Sequence, residues 1–107
     1  MSSFDDRQKG YEGKFAHDAE LEFKATARRN KLLGLWAAEK FGMTGDDAAT
    51  YAKSVVVSDL EEPGEEDVFR KVRGDFDSRN IEQSDHQIRR EMSDFMAIAV
   101  EQVEKGE

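Results

Sequence analysis

A single proline, Pro63, stands in a chain of 107 residues. Proline lacks the backbone N–H that a helix interior uses and clashes with the preceding turn. Its scarcity therefore leaves long stretches on either side open to helix. Alanine, glutamate, lysine and leucine are abundant in those stretches, and they lose little entropy in a helix. The chain is predicted to be all-α.

Hydrophobic spacing divides it into four helices over about residues 18–41, 45–62, 65–80 and 85–104. In the first, Ala25, Leu32, Leu33, Trp36 and Ala37 form an apolar stripe at helical period. Asp18 suits its N-cap, Glu20 and Glu22 suit its positive end, Glu20 and Lys24 are spaced to pair, and Gly42 suits its stop. The second follows Thr44 and carries Ala48, Ala52, Val55, Val56 and Leu60 on one face. Val55-Val56-Val57 alone would read as strand, but the helical period on both sides overrules it. Pro63 closes this helix, because the residue before a proline resists helical geometry. The third opens with Glu65, Glu66 and Asp67, buries Val68, Phe69, Val72 and Phe76, and contains Gly74 at a cost of about 1 kcal/mol. The fourth opens on Ser84-Asp85-His86-Gln87, a full capping box, and buries Ile88, Met92, Phe95, Ala99 and Val103. Connections of a few residues make neighbouring helices antiparallel. The expected fold is one compact four-helix bundle over residues 18–107, with little room for a deep active-site cleft.

Residues 1–17 stand apart. Phe4, Tyr11 and Phe15 are spaced seven and four apart, so a helix would place them in one aromatic stripe with Gln8 between them. Gly10 and Gly13 interrupt it, each at about 1 kcal/mol of helix stability, and a helix this short is marginal in water. The segment is therefore expected to be mobile, disordered or frayed, when free and helical when bound, its aromatics serving as anchors in a hydrophobic groove. Two other readings stay open. It could extend the first helix and pack its aromatics on the bundle, or be a tail without a role.

Charge narrows the function. The net charge is −8, which opposes binding to nucleic-acid phosphates or to an anionic membrane. Residues 42–107 carry seventeen acids against eight bases, whereas residues 1–41 are close to neutral. A front end that binds and a back end that confers solubility fit that asymmetry. Cysteine is absent, so disulfides, thiolate metal sites and cysteine nucleophiles are excluded. The N-terminus has no apolar leader, and no apolar run approaches the ~20 residues that cross a bilayer. A cytoplasmic protein with no direct membrane insertion is expected.

Motifs that carry chemistry are few. His17 and His86 are the only histidines, and with no second ligand at metal spacing they read as surface residues; His17 could instead sense pH near the segment's junction. No metal site and no cofactor are expected. Arg28, Arg29 and Lys31 form a basic patch that could meet a partner, a nucleotide phosphate or the acidic helices of the same chain. No phosphate-cradling loop accompanies it. Glu61, Glu62, Glu65, Glu66 and Asp67 lack the calcium-loop pattern and read as helix-end charge. Trp36, Met92 and Met96 read as packing. No nucleophile elbow or cofactor fingerprint occurs, so the chain is not expected to be an enzyme.

Three stretches bring a family to bear: FDDR at residues 4–7, KFAHDAELEFKATARRNKLLGLWAAEKFG at residues 14–42, and the two acidic helices after Pro63-Gly64. Together they resemble the alphaproteobacterial F-type ATP synthase inhibitor known as the zeta subunit, over essentially the whole chain. The resemblance implies a four-helix bundle with a mobile N-terminal segment, monomeric when free. It implies a regulatory protein that binds the catalytic head of the ATP synthase, built of alpha, beta and gamma subunits, at the cytoplasmic face of the inner membrane, and suppresses ATP hydrolysis. The inhibitory segment would be residues 1–17, similar in local pattern to the inhibitory helix of the mitochondrial inhibitor protein. Its contacts would be Phe4, Asp5, Asp6, Arg7, Lys9, Tyr11, Lys14 and Phe15, and Gly10 departs from a good helix former among them. The alternative is a small-ligand or nucleotide-binding helical domain with a regulatory role, using Arg28, Arg29 and Lys31.

Overall fold

The computed structural model describes the backbone of residues 2–61 and 64–107, and within those ranges the side chains from residue 19 onward. Four helices make up the described chain: α1 (Ser2–Lys40), α2 (Gly45–Glu61), α3 (Glu65–Ser78) and α4 (Asp85–Glu104). No strand occurs among the described residues. The helical run of α1 begins at Ser2, ahead of the start near Asp18 that the capping pattern suggests. The side chains of residues 1–17, and with them any packing of Phe4, Tyr11 and Phe15 on the bundle, lie outside the described residues.

Three of the helices end in the same way. Gly42 takes a left-handed φ of 79°, Met43 N–H reaches back to the Ala38 carbonyl at 2.9 Å, and Gly42 N–H to Glu39 at 3.0 Å. Asn80, at φ 56°, repeats the pattern after α3, with Ile81 N–H on the Phe76 carbonyl at 3.0 Å. Gly106 repeats it after α4, with Glu107 N–H on Gln102 at 2.8 Å. These are Schellman caps, which satisfy carbonyls that the helix itself leaves open. At the start of α4 the Ser84 hydroxyl accepts from Gln87 N–H at 3.0 Å. The Gln87 side chain does not complete a capping box; it donates to Glu91 at 2.8 Å instead. The full box expected from sequence is therefore half formed.

α1 packs chiefly on α2 and α4, and α3 closes over α2 and α4. One cluster, built from Leu33, Ala37, Tyr51, Val55, Val68, Phe69, Val72, Phe76, Ile88 and Met92, fills the space between them. The stripe read on α3 is buried throughout. On α2 the stripe shifts. Tyr51 is buried, while Leu60, expected in the core, is 58% exposed because it sits in the last turn of α2, past the main core. α1 and α2 pack closely at Gly34, where a Cβ would lie 2.6 Å from Ala52 Cα. Only glycine admits that approach, which offsets its cost in a helix interior.

Candidate functional site

The side chains of Phe4, Asp5, Asp6, Arg7, Lys9, Tyr11, Lys14 and Phe15 lie outside the described residues, as does that of His17. His86 is exposed in the first turn of α4. The basic run on α1 is described fully, and the helix splits it. Successive residues of a helix point about 100° apart, so Arg28 and Arg29 diverge.

Arg29 turns inward. It is 5% exposed and donates from Nε to Asn30 Oδ1 at 3.0 Å. Burial draws its pKa below the usual arginine range, and the nearby Glu65 and Asp59 charges oppose that shift; it stays a cation under all working conditions. Asn30 is fully buried, and its Nδ2 has no partner among the described residues. Arg29 lines a cleft of about 650 Å³ between α1, α2, the start of α3 and α4, with Phe23, Leu60 and Met96 as its apolar side and Glu22, Asp59 and Glu65 as its acidic side.

Arg28 turns the other way. Its guanidinium donates to Gln102 Oε1 at 2.9 Å and to the Glu107 backbone carbonyl, which ties α1 to the end of α4. Lys31 shares this side, and so does Lys24, a residue that the sequence reading left out of the patch. Positions 24, 28 and 31 are four and three apart, the spacing of a single helical ridge. The ridge borders a groove of about 490 Å³ whose apolar lining includes Phe23, Ala27, Val56 and Val103. Phe23 stands between the groove and the acidic cleft and is 64% exposed.

Elsewhere the acids are engaged in structure. Glu66 receives both amino groups of Arg89 at 2.9 and 3.2 Å, and that pair holds its carboxyl below the usual range. Asp67 pairs with Arg70. Among the described residues no group of three or more histidines or acids is placed to hold a metal ion. Nor, among them, is any helix long and apolar enough to cross a membrane.

The chain is thus an all-helical bundle with two open clefts at one end, on either side of an exposed aromatic ring. A family profile described as ATPase inhibitor subunit zeta matches residues 1–102. The chain belongs to that family, and so to a class of regulatory inhibitor subunits. A structure determined by solution NMR is similar to it, with 46% sequence identity, a TM-score of 0.70, and coverage of 81% of this chain and 99% of that one. No curated protein sequence matches the chain.

Proposed function

We propose that the chain inhibits ATP hydrolysis by the F-type ATP synthase, with residues 1–17 as the inhibitory element and the bundle as a stop outside the catalytic head. The family match carries this reading, because it spans both the segment and the bundle. A catalytic interface between alpha and beta subunits opens and closes as gamma turns. A helix wedged into that interface inhibits to the extent that it binds one closed state better than the others. Phe4, Tyr11 and Phe15 would supply the buried area, about 1.5–3 kcal/mol each when fully desolvated. Asp5, Asp6, Arg7, Lys9 and Lys14 would set register and association rate more than affinity. Gly10 and Gly13 make the helical form costly in isolation, so the interface would provide much of the energy that holds it. Inhibition takes place where the head stands, at the cytoplasmic face of the inner membrane, and calls for no catalytic group in the chain.

ATP hydrolysis by purified synthase heads tests the reading. The full chain should lower turnover. Removal of residues 1–17 should abolish that effect while the helical circular dichroism and thermal melting of the bundle persist. Full inhibition by the truncated chain would move the effector role to the bundle and end this proposal.

A further inference from the structure

We propose that the cleft beside Arg29 is a second docking site, which takes a basic, apolar-tipped segment on the surface of the ATPase head. The proposal rests on the inhibitory reading above and gives the bundle a contact of its own with the head.

Charge is the first argument. Glu22, Asp59 and Glu65 line the cleft, and none of them forms an ion pair with a described residue. Elsewhere Asp67, Asp75, Asp77, Asp85 and Glu66 are each matched to a lysine or an arginine. Asp59 Oδ1 accepts from Gly64 N–H at 3.2 Å, a bond that leaves its charge in place. Among the described lining residues Arg29 is the one cation. Three carboxylates against one guanidinium leave the cleft negative. Carboxylates without counter-ions at an open cleft steer a cationic partner and fix its register.

The rest of the lining is the second argument. Phe23 and Leu60 stand beside these charges, each more than half exposed. Apolar side chains of this size carry much of the energy of a contact once a partner covers them. Arg29 is 5% exposed, and its two Nη groups meet no acceptor among the described residues. A buried donor without a partner is costly, and the backbone carbonyls of an incoming segment supply one. An apolar tip, flanking lysines or arginines and free carbonyls answer the three parts of the cleft.

Register is the third argument, and it points to the head. Residues 29, 26, 22 and 19 of α1 line the cleft. Counting on toward the N-terminus in the same steps of three and four gives 15, 11, 8 and 4, the positions of Phe15, Tyr11, Gln8 and Phe4. Such steps follow one line along a helix, and α1 is a single helix from Ser2 to Lys40. The cleft therefore opens on the line of α1 that carries the inhibitory aromatic positions. A head that grips those positions covers that line up to the bundle, where Glu22 and Leu60 meet it. The second contact then forms at high effective concentration, so a weak site still adds greatly to overall affinity.

The test uses the full chain and purified heads. Binding kinetics at low and high salt would be compared for the wild type, Glu22→Lys, Leu60→Ser and Glu39→Lys. The last is a control that makes the same charge change in the final turn of α1, at the far end of the bundle. All three altered side chains are exposed, and unchanged thermal melting would confirm the folds. Glu22→Lys should weaken binding about tenfold, mainly through slower association, and reduce its salt dependence. Leu60→Ser should weaken it about tenfold through faster dissociation, and Glu39→Lys should change nothing. A wild type that binds and inhibits, with both cleft variants within about twofold of it, would overturn the docking site and leave the inhibitory reading standing. Equal losses from Glu22→Lys and Glu39→Lys would also overturn it, as an effect of net charge alone, and so would tighter binding by Glu22→Lys. A wild type that neither binds nor inhibits would remove both readings. Sedimentation of the isolated chain decides the rival occupant, a second copy. If the chain formed a dimer that Glu22→Lys or Leu60→Ser dissolved while head binding was spared, the cleft would be a self-association face and the proposal would fall.

Discussion

The two ends of the bundle are built on different principles. At the end where α1 turns into α2, aromatic rings close the core. Phe41 meets Phe76 at 4.7 Å and Tyr51 at 5.2 Å, both edge to face, and Trp36 lies 5.6 Å from Phe76. Arg79 caps this knot, its guanidinium 4.5 Å from the Phe41 ring. The Tyr51 hydroxyl donates to Asp75 at 2.7 Å, and Lys71 reaches the same carboxylate at 3.1 Å. Edge-to-face rings and a stacked cation each add to plain burial. At the opposite end Phe23 and Leu60 are left in solvent beside two open clefts. Exposed apolar groups that the core does not recruit, beside open clefts, mark a surface available for contact. Close aromatic packing is concentrated at one end and exposed apolar surface at the other.

Substitutions at the two ends can break or sharpen that contrast. Phe76→Ala should cost the most, about 3–5 kcal/mol in urea unfolding, because its ring is fully buried at the centre of the knot. Gly34→Ala should cost about 1–3 kcal/mol by overpacking, since its methyl would press on Ala52 backbone rather than on a movable side-chain tip. Tyr51→Phe should cost about 1 kcal/mol by loss of one hydrogen bond. It should also change the alkaline limb of the stability curve. Burial, then the bond to Asp75, pushes the Tyr51 phenol well above its usual range. The unfolded chain therefore releases this proton first, at about pH 10. The resulting stability is full below that pH and is lost as pH rises above it. The wild type should fall more steeply than Tyr51→Phe above about pH 10. Phe23→Ser should cost least, within about 0.5 kcal/mol. A Phe23→Ser loss comparable to that of Phe76→Ala would erase the distinction between the ends.

Much of this architecture was legible in the sequence, and the reasons are local. Ser84 stood three residues ahead of Gln87, Gly42 and Asn80 followed apolar stripes, and the α3 stripe kept strict period; each signal depends only on near neighbours. The parts that were not legible depend on partners far along the chain. Tyr51 gave no core signal because its hydroxyl is acceptable inside only with Asp75 opposite. Leu60 looked buried because period alone cannot say where a core ends. Gly34 carries no local signal of its role, which depends on Ala52 lying against it. Within the candidate site, three basic letters in four residues suggested one patch, yet helical geometry sends Arg29 inward and groups Arg28 with Lys31 and Lys24. The spacing of 24, 28 and 31 was readable and would have found that ridge. The open clefts around Phe23 were not, since they arise from where α2 and α4 stop.

The Gly34–Ala52 contact reaches further than its own few atoms. Two helices that touch backbone to methyl cannot slide past one another without driving Ala52 into a larger neighbour, so the pair acts as a detent that fixes how far α2 is advanced along α1. That setting places Val56 beside Ala27 and Lys31, and Leu60 beside Phe23. The width of the groove is thus decided about one turn away from it, inside the bundle. A change at residue 34 that never reaches the surface would be expected to detune recognition at that end of the bundle as well as fold stability.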